Sequence, residues 1–274
     1  PVRPLPEQPL RKADPHRRAA ILDAFNHSWS AYKRDAWGYD EYHPISKHGS
    51  NLNGKHGQGI GYTIVDTLDT LILMGLKDDY EQARDWVRDE LDWDVPGRMN
   101  VFETTIRTLG GLLSAAALMQ DPPHPAFTPS QEDADMFIAK AVDLADRLKP
   151  AFDTPSGVPL CEVDLETGEA FPDLNNNNSS SLAEATTVQL EFKYLAHLTG
   201  EVEYWRIAER PMQAVRTAAQ RLPHYQGLLP IFLDPMNGHF YNGEVRLGSR
   251  GDSYYEYLIK QWLQTGRTEQ IYRD

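Results

Sequence analysis

The chain has one cysteine, Cys161, so no internal disulfide can staple it. Taken alone, that favours a reducing compartment. Long apolar runs are also missing: nothing approaches the roughly 18 residues that mark a membrane-spanning helix. Basic residues are in deficit, with 27 Lys and Arg against 40 Asp and Glu, a net charge of −13. Such a chain repels phosphate backbones, which argues against nucleic acid as a partner. Histidine is scattered: His43, His48 and His56 share one Gly-rich loop without ligand spacing and read as solvated. The chain opens at Pro1 rather than Met, which predicts a processed or trimmed product whose signal or anchor would have preceded it. N-x-S sequons at Asn26, Asn177 and Asn178 point toward a secretory compartment, although such triplets arise by chance in most chains of this size.

What is present is helical pattern. After an irregular, Pro-rich lead-in over residues 1–15, apolar spacing predicts helices at about 16–33, 64–75, 79–92, 100–119, 131–149, 184–197, 201–221 and 252–264, with a ninth beginning near 268. Even-numbered helices are nearly uncharged: from Thr104 to Met119 the only charge is Arg107. Odd-numbered helices carry one charged face, and 79–92 has eight charges in fourteen residues. That alternation fits two layers of helical hairpins, buried inner helices backed by half-solvated outer ones. Inner-to-outer connections are mostly short. Outer-to-inner connections are long (34–62, 92–100, 150–181 and 222–249, the last with a possible hairpin at Met236-Asn237-Gly238-His239), and in such an array they collect at one end. The Gly57-Gln58-Gly59-Ile60-Gly61 piece lacks the strand and lysine of a phosphate cradle.

Acids recur where the inner helices begin. Thr63…Asp66, Asn100…Glu103, Ser181…Glu184 and Ser249…Asp252 each place a carboxylate three residues after a capping residue. Plain capping accounts for any one of them, and Asp78…Glu81 and Ser130…Asp133 repeat the pattern on outer helices. Four such acids on one rim, beneath the longest loops, predict a polar cavity. Paired carboxylates without a cysteine nucleophile suit acid/base hydrolysis of a glycosidic bond: one protonates the leaving oxygen, another activates water. Arg107 lies one turn after Glu103 and Arg250 two residues before Asp252, to pair with acids or hold hydroxyl groups. Asp252 and Glu256 share a helix face. Asp69, Trp37, Tyr254 and Tyr255 read as packing residues.

Four stretches resemble class I α-1,2-mannosidases, glycoside hydrolase family 47: Ala36 to Glu41, Gly61 to Leu71, Phe102 to Leu113, and Arg250-Gly251-Asp252-Ser253-Tyr254-Tyr255-Glu256-Tyr257. The resemblance is closest to the endoplasmic reticulum and Golgi N-glycan trimming enzymes. It implies an all-α (α/α)7 barrel, of which residues 16–274 supply about four hairpins as the N-terminal part of one catalytic domain. It implies calcium-dependent, inverting removal of terminal α-1,2-linked mannose from high-mannose N-glycans, in the secretory pathway lumen or outside the cell. By motif position it makes Glu103 the general acid and Asp252 a catalytic carboxylate, with Arg107, Glu184, Arg250, Glu256 and Asp66 binding sugar. It places the remaining base and the calcium ligand outside this chain, so a second polypeptide is expected to complete the barrel. A lectin-like glycan binder and a purely structural hairpin scaffold are the competing readings.

Overall fold

The computed structural model describes residues 13–54, 59–223, 226–241 and 243–274. Residues 1–12 of the expected lead-in lie outside these, as do His56, Gly57 and Gln58 of the Gly-rich segment. Helix α1 (Pro15–Asp35) starts where Asp14 accepts the His16 and Arg17 N–H groups and Pro15 gives up no bond. The first inner helix, α2 (Tyr62–Met74), buries Ile64, Val65, Leu68, Leu71 and Ile72 and stops at left-handed Gly75. Outer α3 (Lys77–Asp89) buries only the Tyr80, Ala83, Val87 stripe. The next inner rod is α4 (Val101–Glu103), a π turn over Thr104–Leu109, and α5 (Gly110–Gln120). Outer α6 (Gln131–Leu148) and α9 (Val202–Ala219) alternate with inner α7 (Leu182–Thr186), α8 (Gln189–Thr199) and α10 (Asp252–Gln264); α11 (Gln270–Arg273) follows. The expected two-layer array of four hairpins is what the chain forms.

Gly111 sets the inner-layer spacing. A Cβ there would stand 2.6 Å from the Val65 carbonyl oxygen, so only glycine lets α5 approach α2 this closely. The outermost inner helices keep apolar flanks: Leu73 is 54% exposed on α2, and Ile259 and Leu263 are 45% and 50% exposed on α10. Those flanks lie on the first and the last long inner helix.

The long loops are stitched to one another. Strands β1 (Glu41–His43) and β2 (His48–Ser50) form a hairpin inside the first, which the sequence pattern did not show. There His43 stacks on His48 at 4.6 Å and bonds Ser50 Oγ, so it is engaged rather than freely solvated. Strand β3 (Arg98–Asn100) pairs with β4 (Glu162–Asp164), and β4 with β5 (Ala170–Phe171); β6 (Ser180–Ser181) pairs with β7 (Phe232–Leu233). The Met236–His239 segment is a turn closed by Asp234 N–H to His239 O at 2.9 Å. β3 and β6 run directly into α4 and α7, and the Ala183 N–H donates to the Arg250 carbonyl at 2.9 Å just before α10, which fixes the rim.

The expected single helix over 184–197 is two. Thr186 and Thr187 turn their hydroxyls back onto the carbonyls of Leu182 and Ala183, at 2.5 and 2.6 Å, and Val188 leaves helical geometry. A β-branched run that satisfies carbonyls locally breaks the helix there.

Candidate active site

Two of the four rim boxes form. Asn100 Oδ1 accepts the Glu103 N–H at 2.7 Å, and Ser181 Oγ accepts that of Glu184 at 3.2 Å. The other two do not. Gly61, in the left-handed region, precedes α2, and Thr63 donates its hydroxyl to the Asp40 carbonyl at 2.5 Å. Asp252 is itself the first residue of α10, behind Gly251, and Ser249 caps nothing. Among the outer boxes, Ser130 caps α6 at Asp133, but α3 begins at Lys77 with no side-chain cap.

The start of α2 is held instead by Asp40. This fully buried carboxylate accepts N–H groups from Leu52 and Tyr62, both at 3.1 Å. Burial raises its pKa, against those backbone bonds. The arrangement fixes Tyr62, a site residue that the pattern reading missed.

Tyr62 belongs to a four-residue cluster with Asp66, Glu103 and Arg107. Arg107 Nε donates to Glu103 Oε2 at 2.8 Å while its Nη1 lies 3.5 Å from Asp66 Oδ2. Tyr62 OH donates to the same Glu103 oxygen at 3.3 Å, and the guanidinium lies 5.7 Å from the Tyr62 ring centre. The π turn holds Arg107 at this junction; such turns recur at functional sites. Burial pushes the Asp66 carboxyl up and Arg107 draws it back. Burial, then the Glu103 charge, pushes the Tyr62 phenol up.

Glu184 stands next to this group. Burial raises its carboxyl against the pull of Arg250, and the Glu103 charge adds to the rise. The Cys161 thiol donates to its Oε2 at 3.6 Å and is pushed up to about 12, by burial first and Glu184 second. So Cys161 is an inert proton donor rather than a nucleophile. Arg250 has φ +72, an uncommon conformation for a side-chain-bearing residue; its guanidinium lies 5.2 Å from the Phe232 ring centre and 3.8 Å from Asp173. Strain of that kind clusters at ligand clamps.

Asp252 and Glu256 stand apart. Asp252 Oδ1 accepts only its neighbour's N–H, from Ser253 at 3.0 Å, and Glu256 pairs with Lys260. No ion pair or hydrogen bond joins either acid to Glu103 or Glu184 among the described residues. Nor is the rim an enclosed cavity: the Asp66 and Glu103 side chains are 42% and 41% exposed. Asp69 accepts from Ser114 at 2.8 Å, Trp37 packs edge-on to Trp29, Tyr254 sits on a satellite core and Tyr255 accepts the Leu229 N–H, all packing roles as expected.

Glycosyl hydrolase family 47 matches residues 24–274. A mannosyl-oligosaccharide 1,2-alpha-mannosidase of Candida albicans is 44% identical over 96% of this chain and 42% of its own length. Endoplasmic reticulum mannosyl-oligosaccharide 1,2-alpha-mannosidases of Saccharomyces cerevisiae and Homo sapiens are 41% and 39% identical over 92% and 93% of the chain, and over 46% and 33% of theirs. An alpha-1,2-mannosidase from Trichoderma reesei superposes with a TM-score of 0.79 at 32% identity, covering 92% of this chain and 51% of its own. The chain therefore spans about half or less of the length of these relatives, and its hairpins are those of an (α/α)7 barrel.

Proposed function

This chain belongs to glycosyl hydrolase family 47, and on that premise we propose that it is the N-terminal part of a catalytic domain that removes terminal α-1,2-linked mannose from high-mannose N-glycans. The observation that carries the reading is the Glu103–Arg107–Asp66 bridge at the head of the inner helices, in a sequence 44% identical to a mannosidase. Capping alone needs only Asn100 and the Glu103 backbone. It does not call for an arginine spanning two acids, nor for a tyrosine aimed at the same oxygen.

In this reading Glu103 gives its proton to the glycosidic oxygen as the bond breaks. Arg107 and Tyr62 fix its carboxyl, so that orientation is set before substrate arrives. A second carboxylate activates water on the opposite face of the sugar, which inverts the anomeric centre. Asp252 takes part in that half of the reaction, and Arg250, Glu184, Glu256 and Asp66 hold sugar hydroxyls. The resemblance also implies calcium. Among the described residues no three His, Cys, Asp or Glu side chains are grouped to hold a metal ion, so these residues do not build its site and no step here runs through it. We assign the remaining base and the calcium ligand to a further stretch or second polypeptide that closes the ring against the Leu73 and Ile259 flanks. Relatives bearing the endoplasmic reticulum in their names support action in the secretory lumen.

The test is mannose release from a high-mannose glycan by the active form of the protein, wild type beside Glu103→Gln. Release that falls at least about a hundredfold in the variant is expected of a lost general acid. Unchanged release removes Glu103 from that role, and glycan binding without release favours the lectin-like reading.

A further inference from the structure

Arginines in this acidic chain mostly find carboxylates, as Arg84, Arg88, Arg107 and Arg147 do. Arg210 and Arg221 form no ion pair with any described residue. Both lie on one side of α9 and its C-terminal extension, and both line a cavity of about 300 Å³ together with Gln213, Asn237 and His239. Among the described residues no Asp or Glu lines it.

The cavity has built walls. The loop after Thr154 forms one side, where Arg210 Nη2 donates to the Thr154 carbonyl at 3.0 Å. The turn at 234–239 forms another, where Arg221 Nη1 meets His239 Nε2. Ser156 Oγ ties loop to turn through the Pro235 carbonyl at 2.5 Å. Asp234, the acid at the head of that turn, is used up inside it: it accepts the Met236 N–H at 2.7 Å and Asn237 Nδ2 at 2.6 Å. Two positive charges thus face one concavity without a counter-charge among the described residues.

We infer that this cavity is a binding site for a tetrahedral oxyanion, inorganic phosphate or a phosphate monoester. Guanidinium groups present planar forks of N–H donors that match such oxygens. Among the described residues Arg221 Nε and Nη2 and Arg210 Nη1 have no hydrogen-bond partner, and Gln213 adds an amide. Two uncompensated charges suit a dianion better than a monocarboxylate. Among the described residues no Phe, Tyr or Trp lines the cavity, and the one ring there, His239, is engaged by Arg221, so a neutral sugar would lack a broad stacking surface. None of the rim acids lines it, so the site stands independently of the glycosidase reading.

Titration calorimetry of the full chain tests it, with inorganic phosphate and a sugar phosphate monoester as separate probes against chloride at matched ionic strength. Saturable one-site binding of either probe is expected; both binding admits an ester, and inorganic phosphate alone marks the free ion. Arg221→Gln should weaken it about tenfold or more, the value of a charge-assisted hydrogen bond. Gln213→Glu, at an exposed side chain that makes no hydrogen bond with any described residue, should abolish it while circular dichroism and mannose release stay unchanged. No binding above the chloride control, or equal binding by Gln213→Glu, overturns the proposal.

Discussion

Tyr257 on α10 donates its phenol hydrogen to Glu191 Oε1 on α8 at 2.9 Å, while Glu191 Oε2 is shut off from water with no partner among the described residues. The residue as a whole is half-buried, but its carboxyl is enclosed, and burial pushes its pKa from 4.5 up to about 7. The folded state therefore binds this proton more tightly than the unfolded chain. The stabilisation is complete below pH 4.5 and is lost as pH rises through 7. Its size is about 3 kcal/mol, from the pKa rise at 1.36 kcal/mol per unit. Glu191→Gln keeps the shape and the Tyr257 bond without the charge. Urea unfolding at several pH values should show the variant losing that pH dependence and exceeding wild type above pH 7. A parallel pair of curves would mean that Glu191 titrates normally in the fold.

Gly111→Ala sets two effects against each other. Alanine gains up to about 1 kcal/mol of helix propensity over glycine. The new methyl would meet the Val65 carbonyl at 2.6 Å, and backbone cannot swing aside as a side chain can. Overpacking of this kind costs about 1–3 kcal/mol, so the clash wins. A lower urea midpoint is expected, and a raised one would show that α2 and α5 can separate freely.

Lys193 is a buried charge at a junction of four helices. Its Nζ is buried and reaches Glu209, Gln261 Oε1 at 2.9 Å and Tyr272 OH at 2.5 Å, joining α8, α9, α10 and α11. Burial lowers its pKa while Glu209 supports it. Lys193→Met leaves Glu209 at the helix junction without a counter-charge, held only by the Tyr272 hydroxyl, and should cost about 3 kcal/mol, whereas adding Glu209→Gln recovers part of the loss. A double-mutant cycle in urea measures this; additive losses would show that the pair is not coupled.

Periodicity made the two layers readable because burial on most sides forces a run such as Thr104–Met119 to be nearly uncharged, whatever its partners are. Capping was readable only where the cap is local. Asn100 and Ser181 serve residues three positions away, but α2 is held by Asp40, 22 residues upstream of Tyr62, through a loop whose course no pattern dictates. The π turn was hidden for a related reason: Gly110 bonds to the carbonyls of Arg107 and Thr105, and nothing in the residue types separates that from a regular helix. The break after Thr186 had a visible signal, the Thr-Thr-Val run, which helical spacing outweighed. Glu103, Arg107 and Asp66 were legible as a group because two inner helices start at the same rim. Tyr62, Asp173 and the Cys161–Glu184 contact depended on loop pairing and were not.

Arg107→Lys separates site from scaffold. The Arg107 and Glu103 side chains are 44% and 41% exposed, so their ion pair is worth no more than about 1 kcal/mol of stability. If the pair only decorated a helix surface, lysine would serve nearly as well. A lysine ammonium is a single point and cannot hold Glu103 and Asp66 in the fixed fork that Arg107 offers at 2.8 and 3.5 Å. A misplaced acid costs about a hundredfold in rate when orientation is lost by an ångström. The expected outcome is thus a melting temperature within about 3 °C of wild type, from a stability change below 1 kcal/mol, beside mannose release reduced about a hundredfold in the protein's active form. Equal losses of stability and activity would instead place Arg107 in the scaffold and leave Glu103 as a capping acid.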